Sequence, residues 1–125
     1  MIRILLAGAA LVVGISGAPS VQDAAAGEKV FGKCKACHVI DAATNRVGPS
    51  LHGIIGRTAG TVEGFKYSES MIQHGKDGLV WNNETLDKYL ADPKGFIAKN
   101  KMAFPGLKNA EDRANVIAYI DEASK

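Results

Sequence analysis

The two cysteines of the chain stand three positions apart in one five-residue stretch, Cys34-Lys35-Ala36-Cys37-His38. No other feature restricts the fold as strongly. C-x-x-C-H is the attachment signature of a c-type haem. On a helix, positions three apart share a face, so both thiols can reach the two vinyl groups on one edge of a porphyrin. His38, four residues after Cys34, falls on the same side and can offer an imidazole nitrogen to the iron. One motif implies one haem. Two competing uses of the pair are weaker. A dithiol–disulfide centre expects a βαβ context that the sequence does not show. Half of a zinc site expects a second pair, and His52 and His74 stand too far apart to act as one.

Thioether formation belongs outside the cytoplasm, and the N-terminus agrees. Arg3 is followed by an unbroken run of apolar residues and glycine from Ile4 to Ile15, with no acidic residue before Asp23. A positive start, a short apolar stretch and small residues after it read as a secretory signal peptide. The run falls short of the ~20 residues needed to span a bilayer as a helix. Small residues at 18 and 20 place the cut after Ser20, although cuts after Ala24, Ala25 or Ala26 also satisfy the small-residue rule. Residues 1–20 are thus expected to be the signal and residues 21–125 the mature domain, in a bacterial periplasm.

With 125 residues the chain has room for one domain. Its 46% hydrophobic and 22% charged residues exclude a wholly disordered polymer. Fifteen basic residues against thirteen acidic ones are too even for a nucleic-acid binder. The pattern is helical throughout, with no period-two alternation. One amphipathic helix is expected from Ala24 to Cys37, then loop over 39–66, where five glycines and Pro49 fall. A short helix is expected from Tyr67 to His74, with Ser68 as a possible N-cap and Gly75 and Gly78 closing it. Asn82 or Asn83 caps a helix through Asp92, and Pro93 starts a turn of helix through Ala98. Residues 99–108 form a second loop, and Asn109 caps the last helix, whose apolar face carries Val116, Ile117, Tyr119 and Ile120. The class is all-α.

Such a chain has only eight aromatic residues and long glycine-bearing loops, a thin core that a haem would fill. The iron then has a sixth position. After the signal the methionines are Met71 and Met102. Met71 is at helical spacing with Tyr67 and His74 and reads as a packing residue. Met102, in Lys101-Met102-Ala103-Phe104-Pro105-Gly106, lies in a loop and is not placed like a core residue of a helix face. His52 reads as a structural hydrogen-bonding histidine and His74 as a surface helix terminus.

Further pieces extend the pattern: V-G-P-S-L-H-G-I-I-G-R at 47–57, G-F-K-Y-S at 64–68, L-V-W at 79–81, E-T-L-D-K-Y-L-A-D-P at 84–93, N-K-M-A-F-P-G at 100–106 and V-I-A-Y-I at 116–120. Taken in order with the haem motif, they make the sequence resemble the class I c-type cytochromes, most closely the cytochrome c2 branch. The resemblance covers essentially all of the chain after the signal. It implies a cytochrome c fold with crossing N- and C-terminal helices, packing Val30 and Phe31 against Ile117 and Tyr119. It implies one haem c bound covalently through Cys34 and Cys37, with His38 as proximal and Met102 as distal iron ligand. The carbonyl of Pro49 would accept the other imidazole N–H of His38. Tyr67 and Trp81 would hydrogen-bond a haem propionate, with Arg57 near it. Tyr89 would lie beside the Met102 sulfur and Phe104 would cover the haem edge. Two departures stand out. Asn100 replaces the threonine that many members carry two residues before the methionine, and Met71 stands where mitochondrial members carry asparagine.

The resemblance implies a soluble, monomeric one-electron carrier and not an enzyme, since four porphyrin nitrogens and two protein ligands would leave the iron no open site. The competing reading is a haem enzyme or a gas or redox sensor with a displaceable sixth ligand. By resemblance the donor would be a cytochrome bc1 complex, and the acceptor a terminal oxidase or a photosynthetic reaction centre. Lys33, Lys35, Lys94, Lys99, Lys101 and Lys108 fall in segments that flank the haem in this family. Asp23, Glu28, Glu111, Asp112, Asp121 and Glu122 gather near the two ends of the domain. Docking on acidic partners through the lysines is the expected mode, with neither nucleic acid nor membrane insertion involved.

Overall fold

A computed structural model describes residue 8 and residues 22–125. The signal segment expected over residues 1–20, with its cleavage site, lies outside the described residues except for residue 8. Among the described residues no helix is long and apolar enough to cross a membrane.

Among the described residues five helices form, in the order α1 (Ala24–Phe31), α2 (Glu69–Lys76), α3 (Asn83–Ala91), α4 (Pro93–Phe96) and α5 (Ala110–Ala123). Among the described residues the only β pairing is an isolated antiparallel bridge between Thr58 and Val80. Each helix start has a side chain that takes up orphan N–H groups. Asp23 caps α1, Ser68 caps α2 and Asn109 caps α5. Asn82 and Thr85 form a reciprocal capping box on α3. Asp92 both ends α3 and caps α4, whose first residue is Pro93.

The first helix is shorter than the pattern predicts. It ends at Phe31, and Gly32 begins a series of tighter turns in place of the α-helix expected through Cys37. There the N–H groups of Lys33 and Cys34 donate to the carbonyls of Val30 and Phe31, three residues back, at 3.1 and 2.8 Å. The second helix is shifted by two residues from the expected span: it starts at Glu69 and runs through Gly75 to Lys76. Gly75 does not stop it because its role is contact: a Cβ there would overlap the Ala59 carbonyl. Helix α4 stops at Phe96, two residues before the expected end.

The frame is the crossing of α1 and α5. A Cβ on Gly27 would overlap the Asn115 carbonyl, so the backbones meet where one side chain is absent. The ring of Phe31 lies 5.2 Å from that of Tyr119. The Asp23 N–H donates to Asn115 Oδ1 at 2.9 Å. Arg113 of α5 reaches Asp87 of α3 at 2.7 Å and the Leu107 carbonyl at 2.9 Å, tying α3 and the 99–108 loop to α5. The buried apolar residues pack into one core, and Phe31, Leu51, Ile54, Trp81, Leu86 and Ile120 of that core also line a cavity.

Candidate functional site

The cavity, about 250 Å³, is lined by residues from the 31–57 and 65–68 segments, α2, Trp81, α3, the 101–104 loop and α5. All ten residues singled out by sequence stand on its wall: Cys34, Cys37, His38, Pro49, Arg57, Tyr67, Trp81, Tyr89, Met102 and Phe104. Sequence reading did not single out Gly48, Val47 or Phe65, which also line it. Met71, taken from its spacing as a packing residue, is buried and lines the same cavity. His52 is exposed and lies outside the cavity, lining a second hollow with Ser50, Arg57 and Glu63. His74 is also outside it, its Nδ1 held by the Ser70 carbonyl at 2.8 Å.

The tight turns after Phe31 bring the two thiols to the cavity. The N–H groups of Cys37 and His38 both donate to the Cys34 carbonyl, at 3.1 and 3.0 Å. Burial pushes the Cys34 thiol above its ordinary value; Cys37 adds to this and Lys33 opposes it. A raised thiol is the reverse of what a redox dithiol needs. Among the described residues no three His, Cys, Asp or Glu side chains come together as a metal cage.

His38 Nδ1–H donates to the Pro49 carbonyl at 2.8 Å. That leaves Nε2 with its lone pair. Burial holds the imidazole below its usual pKa, partly offset by the Pro49 carbonyl, which favours the neutral, ligating form. Tyr89 is buried within 5.0 Å of the Trp81 ring, and burial pushes its phenol up to about 12, so it stays a hydrogen-bond donor at physiological pH. Tyr67 accepts a hydrogen bond from the Val62 N–H at 3.1 Å, which leaves its own proton to donate. Arg57 donates to the carbonyls of Ser50, at 2.8 Å, and His52.

A thiol pair, a neutral imidazole aimed by a carbonyl and a thioether stand on the wall of one apolar cavity, groups whose chemistry suits a covalently held iron porphyrin. Residues 24–124 match the sequence profile of the family described as Cytochrome c. The chain belongs to the cytochrome c family. It is 60% identical over 90 residues to "Cytochrome c2 iso-2" of Magnetospirillum fulvum, an alignment covering 72% of this chain and 91% of that protein. It is 55% identical over 98 residues to the protein of the same name from Magnetospirillum molischianum, covering 78% and 95%. The solved structure of ferricytochrome c2 from Rhodopseudomonas palustris superposes with a TM-score of 0.75 at 41% identity, over 81% of this chain and 98% of that one.

The architecture is therefore the all-α cytochrome c fold, and the cofactor of this cytochrome c is a covalently bound haem c. The chain's own residues fit that group. The cavity is mostly apolar, both thiols reach it, and Val47, 78% exposed, marks where it opens to solvent. The similarity to cytochromes c2 makes the chain an electron carrier.

Proposed function

We propose that the protein carries single electrons in a bacterial periplasm, from a cytochrome bc1 complex to a terminal oxidase or a photosynthetic reaction centre. The haem, when bound, supplies the one-electron couple of its iron. Cys34 and Cys37 hold it by thioether bonds. His38, oriented by Pro49, and Met102 would be the residues that ligate its iron. A soft thioether paired with an imidazole favours ferrous iron and would raise the reduction potential. Tyr67, Trp81 and Arg57 hold a propionate, Tyr89 flanks the Met102 sulfur and Phe104 covers the haem edge.

The observation that supports this reading best is that Cys34, Cys37, His38 and Met102 line one apolar cavity, with His38 Nδ1 already engaged at 2.8 Å. With both His38 and Met102 holding the iron, no position would remain for oxygen, peroxide or substrate. A carrier needs little more than this, with an edge near solvent through which the electron passes.

The visible spectrum of the ferric holoprotein tests the assignment. The weak sulfur-to-iron band is expected in the native protein and in Met71→Leu, and absent from Met102→Ala. Haem stays covalently attached in all three, and the potential falls in Met102→Ala. A native protein without the band at neutral pH would favour the enzyme or sensor reading. Loss of the band in Met71→Leu with retention in Met102→Ala would move the ligand to Met71.

A further inference from the structure

The stretch around Met102 contains one buried polar side chain whose hydrogen-bonding capacity is full. Asn100 is 4% exposed. Its Nδ2 donates to the carbonyls of Pro93 and Ile97, both at 2.9 Å. Its Oδ1 accepts from the Met102 N–H at 2.9 Å and from the Lys94 ammonium at 3.3 Å. The same ammonium donates to the Asn100 carbonyl. A carboxamide offers two donor hydrogens and two acceptor lone pairs, so all four positions are occupied.

We propose that Asn100 is the positioning residue of the distal ligand: its side chain clamps the Met102 backbone to α4 and sets how readily the thioether leaves the cavity. This rests on the reading of Met102 as the sixth ligand. Helix α4 is a single turn, and the 99–108 loop has no helix of its own to hold it. Lys99, with φ at 57°, turns the chain sharply between α4 and Asn100. The loop's other ties lie to either side of the methionine. Lys101 Nζ donates to the Lys66 carbonyl at 3.0 Å, through a long exposed side chain. The Leu107 N–H donates to the Leu90 carbonyl at 2.7 Å, five residues farther on. Asn100 alone bonds the backbone of Met102 itself among the hydrogen bonds of the described residues.

Without the carboxamide the Met102 N–H loses its partner, and the carbonyls of Pro93 and Ile97, which keep the backbone N–H groups of Ile97 and Asn100, each lose a second donor. Unpartnered buried polar groups are costly, and the loop can recover water by opening. Neither α1 nor α5 bonds to Asn100, so the opening is local. It takes Met102 out of the cavity.

Imidazole added to the ferric holoprotein reads this directly, because it binds the iron only after Met102 leaves. Exchange of the Met102 amide hydrogen reads it without reference to the iron. Asn100→Leu is expected to raise imidazole affinity and speed the exchange about tenfold each. Asn100→Asp keeps an acceptor for the Met102 N–H and is expected to restore both to within about threefold of native. Asn115→Leu removes another buried asparagine, 6% exposed and on α5, and is expected to change neither. Asn100→Ser, too short to bridge α4 and Met102, carries the same expectation as Asn100→Leu if that variant does not fold. Effects within twofold of native in the Leu or Ser variant overturn the proposal. So does an Asp variant as loose as the Leu one, or an Asn115→Leu protein loosened equally, which would mean that imidazole reports general softening. If the native protein lacks the methionine band, or Met102→Ala keeps it, the ligand assignment itself fails. A normal band with an indifferent Asn100 rejects the clamp alone.

Discussion

Gly48 is buried, and a Cβ there would overlap the His38 ring. Its N–H donates to the Cys37 carbonyl at 2.8 Å, and the next residue, Pro49, holds the ring at Nδ1. The imidazole is thus wedged by a missing side chain as well as bonded by a carbonyl. Gly48→Ala must push the ring aside or lift the loop, and overpacking of this kind costs about 1–3 kcal/mol. Urea unfolding of the holoprotein should show a loss in that range at unchanged slope; a native midpoint would mean that the loop yields freely. This residue also shows what the sequence could say. The cysteines and His38 were legible because covalent attachment leaves a contiguous pattern. Gly48 was legible only as a turn residue, since nothing local separates a glycine needed for its dihedrals from one needed for its lack of a Cβ. Met71 has the same difficulty: helical spacing tells that it faces inward, but not that inward here means a cofactor cavity.

Helix boundaries depend on the same distinction. The capping residues Ser68, Asn82 and Asn109 could be read from sequence because a cap acts within three residues. The ends of α1 and α2 could not. Gly32 ends a helix whose apolar spacing continues to Cys37, while Gly75 continues a helix it was expected to close. At Gly75 a neighbour distant in sequence decides, the Ala59 carbonyl, and the Asn115 carbonyl likewise requires the glycine at 27. Gly27→Ala gains up to about 1 kcal/mol of helix propensity, but the methyl meets backbone that cannot turn away, at a cost of about 1–3 kcal/mol or more. The net is destabilising. Gly32, exposed at φ −50° and ψ −32°, already has a conformation that alanine adopts, so Gly32→Ala should change stability far less. Thermal unfolding of the two holoprotein variants checks the contrast, and equal midpoints would show that α1 and α5 can slide apart without loss.

At the scale of the whole molecule, five of the acidic residues and the six lysines fall on different elements. The acidic residues Glu28, Glu111, Asp112, Asp121 and Glu122 belong to α1 and α5, which pack together. Lys33 and Lys101 line the cavity, and Lys35 lies within the haem motif. All six lysines of the cluster are exposed, but they are not equivalent. Lys94, Lys101 and Lys108 have their ammonium groups on backbone carbonyls, so replacing one of them alters the loop as well as the field. Lys35 is the cleaner probe. If the cluster steers docking, the second-order rate of electron transfer with an acidic partner should fall by about tenfold or more as salt is raised, since the Debye length is about 8 Å at physiological ionic strength. Lys35→Glu should lower the rate several-fold at low salt and flatten its salt dependence, whereas Lys125→Glu, beyond the end of α5, should do little. The potential should hardly move in either, because two charges even 4 Å apart in water interact by only ~1 kcal/mol, and an exposed ammonium is farther from the iron. Stopped-flow rates across a salt series, with the potentials measured alongside, separate the two ways of docking. Rates indifferent to salt, or equal losses from Lys35→Glu and Lys125→Glu, would assign recognition to the apolar rim at Val47 and Phe104, where contact and not field would select the partner.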